Sequence, residues 1–169
     1  MTTPSTPLYR TIQLTQGQFA LVSAHRFEEL NAHKWCAVWC KGTRSFYVSR
    51  GVKLPNGKWT SESIHRRILG LQRGDKRQGD HVNMNTLDNR DENLRIATVS
   101  QNRCNRRATL KNTSGFKGVT WDKDHSKWRA EIRVERKLKY LGLYNTPEAA
   151  FAAYCVAAQQ MHGDFARSK

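Results

Sequence analysis

Three shortages set the first limits on this 169-residue chain. It has no apolar run approaching the roughly 20 residues that a membrane-spanning helix requires. Its first seven residues, Met1 to Pro7, are polar and uncharged, unlike a secretory leader. It has only four cysteines, Cys36, Cys40, Cys104 and Cys155, which form one C-x-x-x-C and two distant singles. A structural zinc site ordinarily shows two close pairs, so none is expected, and reduced cysteines in a cytoplasmic setting are.

Acidic residues are also scarce: 14 Asp and Glu against 29 Lys and Arg, a formal net charge of +15 and a sequence pI near 10.2. A domain pI above about 9 marks a nucleic-acid binder. The surplus is spread, 7 over residues 1–100 and 8 over residues 101–169, so both halves are candidates for touching a polyanion. No basic amphipathic helix points to a membrane surface instead. Hydrophobic residues at 38% and aromatics at 9% imply a folded chain with one ordinary core or two small ones.

Residues 8–60 read as short strands and turns around one helix. Thr11 to Val22 alternates around a turn at Gln16-Gly17, and Ala24 to Ala32 has helical composition with Ser23 as its N-cap. Lys34 to Trp39 and Ser45 to Val48 suit strands, and Leu54 to Lys58 is a turn. Ser61 to Leu71 is predicted helical, ending near Gly70 or Gly74. Residues 72–98 are polar apart from a strand candidate at Leu94 to Ala97, and a helix is predicted from Thr98 or Ser100 to about Arg107. Phe116 to Trp121, Lys127 to Val134 and Lys137 to Leu143 are three strand-like runs, with turns at Asp122 to Ser126 and Glu135-Arg136. Thr146-Pro147-Glu148 then opens a helix with Ala150, Tyr154, Ala157 and Met161 on one face, stopped by Gly163.

The chemistry concentrates between Gly79 and Asn102. Asp80 stands beside His81, an amide-rich loop follows, then Asn93-Leu94-Arg95-Ile96, then Ser100-Gln101-Asn102. Phosphodiester hydrolysis needs a base, a hard cation to stabilise the departing oxygen, and groups that aim the base. Histidine, with an ordinary pKa of about 6.5, suits the first role, and magnesium takes oxygen ligands while keeping several waters.

These residues resemble the HNH endonuclease family, a ββα-metal fold, over roughly Ile64 to Asn105: D-H, D-N-R, N-L-R and S-Q-N occur in order at family spacing. The resemblance implies that Asp80 binds metal, that His81 is the general base and that Asn93 braces the loop aiming it. Asn102 stands at the third motif position and also binds metal, which makes this an H-N-N variant. One Mg2+ or Mn2+ ion per site is implied. Asn89, Asn105 and the pair His65-Arg66, matching a His-Arg pair upstream in phage and homing relatives, are supporting residues. His65 is open between a structural or phosphate-contacting part and a catalytic one. Arg90 and Arg95 are candidates for phosphate contact, and the run Arg73, Lys76, Arg77 is either solvated or beside phosphate. Relatives commonly carry glycine where this chain has Met84.

Farther on, S-G-F-K-G-V-T-W from Ser114, K-W-R-A-E-I-R from Lys127, Y-L-G-L-Y from Tyr140 and P-E-A-A-F-A-A-Y from Pro147 resemble the APETALA or ethylene-response-factor type of DNA-binding domain. That family lays a three-stranded sheet in the major groove with a helix behind it. Alternation puts Lys127, Arg129, Glu131 and Arg133 on one face of the second strand and Trp128, Ala130, Ile132 and Val134 on the other. The resemblance implies DNA contacts from Lys117, Trp121, Arg129, Arg133 and Lys139. Plant members have arginine where Thr120 stands, so base specificity does not transfer.

The expectation is an α+β chain in two modules: residues 1–107 with the HNH core at about 64–107, a basic linker at 108–113, and the DNA-binding module at 114–169. It would be a metal-dependent endonuclease of phage or homing kind acting on double-stranded DNA as a monomer or weak dimer, with no small-molecule cofactor and no membrane. The alternative is a non-enzymatic DNA-binding regulator with an inactive HNH fold.

Overall fold

Burial at every second position, at Ile12, Leu14, Ala20 and Val22, marks the opening of the chain as a hairpin. In a computed structural model that describes residues 8–105, 112–134 and 137–166, β1 (Tyr9–Gln13) pairs antiparallel with β2 (Phe19–Ser23) and buries Ile12, Ala20 and Val22. The reversal between them uses Gln16 and Gly17, both with positive φ. A turn at Ala24–Arg26 and α1 (Phe27–Asn31) follow, burying Phe27 and Leu30. Ser23 does not cap this helix by its side chain. Its hydroxyl accepts the Asp91 N–H at 2.9 Å instead, so the residue expected as a cap ties down a segment 68 residues away.

Next, β3 (Cys36–Cys40), β4 (Ser45–Lys53) and β5 (Trp59–Ser63) form an antiparallel sheet in that order. The helix predicted from Ser61 is corrected here: Ser61 to Ser63 complete β5, and α2 spans only Ile64–Ile68. Cross-strand pairing decides the local competition. Ser49 faces Ser63, Arg50 faces Glu62, and Arg50 Nε donates to Glu62 Oε2 at 2.6 Å. Ile64 and Ile68, one turn apart, enter the core with Leu30, Trp35, Val48 and Leu94. Trp35 meets the demand of its buried N–H by donating to Leu30 O at 2.8 Å.

A second pairing brings distant polar segments together. β6 (Gln78–His81) runs antiparallel to β8 (Leu94–Ala97), with Asp80 opposite Arg95 and His81 opposite Leu94. Between them, β7 (Asp88–Asn89) adds to β2 in parallel. Nothing in Gln-Gly-Asp-His suggests a strand. It becomes one because the apolar burst at Leu94 needs a backbone partner.

The contacts divide the chain into two compact units, Met1–Thr98 and Val99–Lys169. The second begins with α3 (Val99–Cys104). The expected boundary at 107 and most of the expected linker lie outside the described residues. Then β9 (Val119–Asp122), β10 (Lys127–Val134) and β11 (Lys137–Tyr144) form a sheet with β10 central, backed by α4 (Pro147–His162). Thr146 caps α4 by accepting Ala149 N–H at 3.2 Å, and Pro147 occupies the first turn. Ala150, Tyr154, Ala157 and Ala158 are its buried face, against Val119, Ala130 and Ile132. The first strand starts later than predicted. Phe116 to Gly118 form a turn, held where Ser114 Oγ donates to Val119 O at 2.8 Å and Phe116 stacks on Phe151. The chain is thus α+β throughout, and among the described residues no helix is long and apolar enough to cross a membrane.

Gly118 is the tightest point of the second unit. Its φ is +74°, and a Cβ there would lie 2.2 Å from Tyr154 Cδ2 and 2.7 Å from Glu131 O. Gly118→Ala should therefore destabilise by about 2–3 kcal/mol, through strain and overpacking together. Chemical denaturation of the full chain measures this, and a loss below about 0.5 kcal/mol would contradict the packing described.

Candidate active site and nucleic-acid interface

β6 delivers Asp80 and His81 side by side, and each is 5% exposed. Asp80 Oδ2 accepts from Arg95 Nε at 2.8 Å, as the strand register dictates. His81 Nε2 lies 3.2 Å from Asn89 Oδ1. Asn89 is completely buried, and its Nδ2 donates to Thr86 O at 3.4 Å, which orients the amide with its oxygen toward the imidazole. An amide oxygen only accepts, so the proton sits on His81 Nε2 and the basic lone pair on Nδ1. Burial lowers the His81 pKa, partly opposed by the Asn89 hydrogen bond and by Asp80 and Asp88.

The loop between β6 and β8 is knitted by amide side chains. Asn93 accepts Asn83 N–H on Oδ1 at 2.9 Å and donates from Nδ2 to Asp88 O at 2.7 Å, while its own carbonyl accepts Val82 N–H at 2.9 Å. Asn83 Nδ2 donates to Asp88 Oδ2 at 2.9 Å, and the Asn83 and Asn85 side chains each accept a backbone N–H two residues on. Arg90 grips Asp88 through two hydrogen bonds, which hold that carboxyl below its ordinary range. The loop is docked outward as well: Thr86 Oγ1 donates to Phe46 O, and Arg26 donates to Asp91 at 2.7 Å. Met84 takes a φ of +61° in this loop, the conformation that glycine adopts without strain.

His65, at the start of α2, brings a second imidazole to the site. Its ring centroid lies 5.3 Å from that of His81, and Tyr47 stands 6.2 Å and 6.4 Å from the two. Burial first, then His81 and Arg66, lower the His65 pKa to about 3. Arg66 is committed elsewhere, donating to the carbonyls of Gln72 at 2.8 Å and Arg77 at 3.1 Å, so it closes the loop after α2. Arg77 pairs with Asp75, while Arg73 and Lys76 are exposed.

Asp80, His81, Asn89, Asn93, Arg90, Arg95, His65 and Arg66 are all in the first unit. Asn102, half-buried on α3, and Asn105, buried just beyond it, belong to the second. In that unit the sheet keeps a wet face and a helix-facing one. Arg129 is held against Asp122 and reaches Glu131, and His125 with Arg129 keeps the Asp122 carboxyl well below the usual range. Arg133 and Lys139 are exposed. The β10–β11 register shifts between Ala130 and Glu131, so Tyr140 stands opposite Glu131 and Leu138 opposite Arg133, each more than half exposed. Directly opposed residues share a face, which puts Tyr140 and Leu138 on the basic face and Lys139 opposite Ile132. Trp121 faces Trp128, with ring centroids 5.0 Å apart, and Lys117 Nζ donates to Cys104 O. Tyr140 was missed from sequence because Lys-Leu-Lys-Tyr alternates equally well in either register.

The AP2 domain family matches residues 114–164. Protein 3.8 of Escherichia phage T7 is 33% identical over 88 residues, covering 52% of this chain and 72% of that protein. An uncharacterized HNH endonuclease of Acanthamoeba polyphaga mimivirus is 27% identical over 155 residues, covering 89% of this chain and 74% of its own length. No solved structure matches the chain.

Two outcomes follow from the geometry of the first unit. Met84→Gly should stabilise the full chain by up to about 1 kcal/mol, as relief of left-handed strain exceeds the entropy glycine adds to the unfolded state. A lower melting temperature would show that Met84 packing outweighs the strain. His65 disfavours its cation when folded, so its contribution is complete above pH 6.5 and declines as pH falls from 6.5 toward 3. The unfolding free energy should fall between pH 6.5 and 4.5, at up to about 1.4 kcal/mol per pH unit, and the melting temperature with it. In His65→Gln that drop should be shallower, and a parallel profile would remove His65 as its source.

Proposed function

The chain belongs to the family of Protein 3.8 of Escherichia phage T7 and carries an AP2 DNA-binding domain at residues 114–164, and we propose that it is a DNA endonuclease hydrolysing phosphodiester bonds with a histidine base and one divalent cation. The observation that carries this reading is His81, buried beside Asp80 with Nε2 against Asn89 Oδ1. The mimivirus relative, named an HNH endonuclease, supports it across most of the chain.

In this reading His81 Nδ1 takes the proton from the attacking water, and Asn89 steadies the imidazole as it charges. Asn93 keeps the loop closed so that Asn89 stays in place. The donor expected for the cation within the first unit is the Asp80 carboxylate. It is a hard oxygen ligand of the kind that magnesium or manganese takes. Bound there, the ion would stabilise charge on the departing oxygen. Arg95, against Asp80, and Arg90 are cations near the same loop that can meet the phosphate. The AP2 domain would select the site that the first unit cuts. One site per chain suits nicking, or paired cuts by a dimer.

One observation favours a second reading, a DNA-binding regulator without cleavage: Arg95 already engages Asp80 Oδ2. Supercoiled-plasmid nicking in magnesium separates the two. Wild type should nick, a chelator should stop it, and His81→Ala should abolish it. Asn89→Leu should cost roughly 10- to 100-fold in rate, as loss of an orienting partner commonly does. Identical behaviour of wild type and His81→Ala would leave the regulator reading standing.

A further inference from the structure

Gly79 and His65 form a close contact that nothing in the cleavage chemistry itself requires. Gly79 lies two residues before His81 on β6, so the two project from the same side of the strand. The His65 ring sits over that glycine: a Cβ at position 79 would lie 2.5 Å from His65 Cδ2, closer than real contacts allow. The same ring meets His81 edge to face, at 5.3 Å and 65°. Its base is firm, because Ile64 and Ile68 anchor α2 in the core on either side. We propose that His65, seated on Gly79, is a positioning residue that fixes the plane of the His81 imidazole and, through it, the hydrogen bond to Asn89. The proposal rests on the reading of His81 as the base.

Shape, not hydrogen bonding, is what His65 brings. Its Nδ1 is buried and has no hydrogen-bond partner. Its low pKa keeps the ring uncharged beside His81, so it can pack there without adding a cation to the site. Asn89 meets His81 at Nε2, at one edge of the ring. The His65 ring, packed edge to face with it, bears directly on the plane of the imidazole. Glycine at 79 is the condition for this contact, because any side chain there would displace the ring.

A double-mutant cycle in the full chain tests the idea. Gly79→Ala and His65→Ala should each lower kcat for plasmid nicking roughly 10- to 100-fold, as small misplacements of a catalytic group do. KM, and the Kd for a mixed-sequence duplex by fluorescence anisotropy, should stay within about twofold. The double variant should be no worse than His65→Ala alone, because removing the ring makes room for the new Cβ. His65→Phe, which keeps a ring but no nitrogen, should retain kcat within about threefold. Imidazole 15N shifts of His81, recorded without metal, supply a readout independent of cutting: one tautomer in wild type and His65→Phe, a mixture in His65→Ala. Additive losses in the cycle, or a His65→Phe as poor as His65→Ala, would overturn the proposal. If wild type does not nick, the endonuclease reading fails, and the 15N spectra alone decide the positioning role: an unchanged His81 tautomer in His65→Ala overturns it.

Discussion

The side chain of Asn93 holds the site together, and most of what surrounds it follows from that one amide. Its oxygen and nitrogen close the loop from both ends, on Asn83 N–H and Asp88 O, while its carbonyl extends the strand pairing to Val82. With the loop closed, Asp88 and Asn89 fall into line with β2. Asn89 then lies where it meets His81. Asn93 is 5% exposed, so these bonds form away from water, where an unmade partner is costly and the arrangement is correspondingly rigid. A buried side chain is thus committed to fixing a polar loop, as a site that must hold geometry demands.

Charge is distributed less simply than its total suggests. A surplus of 15 cations implies a polyanionic partner, yet several arginines are already engaged. Arg90 is committed to Asp88, Arg95 to Asp80, Arg129 to Asp122 and Arg26 to Asp91. A guanidinium held by a carboxylate is aimed and rigid but partly neutralised. Its value to a phosphate is as part of a fixed field rather than as a mobile arm. The AP2 face repeats the pattern, with Arg129 fixed by Asp122 and Arg133 exposed at the other end of the strand.

The helix behind the AP2 sheet was legible from local signals alone, because Thr146, Pro147 and the alanine face need only their own neighbours. The three strand runs, and the turn at Asp122 to Ser126, were legible for the same reason. Other elements were illegible because their partners are far away in sequence. Ser61 to Ser63 joined a strand once Arg50 could reach Glu62. Ser23 left its helix for Asp91, and the strand carrying Asp80 and His81 exists only because β8 lies beside it. The register shift that turns Tyr140 to the basic face depends on one extra residue at Leu141, which alternation cannot count.

The order of D-H, N-L-R and S-Q-N along the chain, the spread of positive charge and the local signals of α4 are properties of the sequence itself, carried by adjacent residues. Which proton His81 holds, which carboxylates occupy the arginines, and why position 79 bears no side chain were decided by tertiary structure. Each depends on groups brought together from separate strands, and their directions and distances are set by packing, which no run of neighbouring residues encodes.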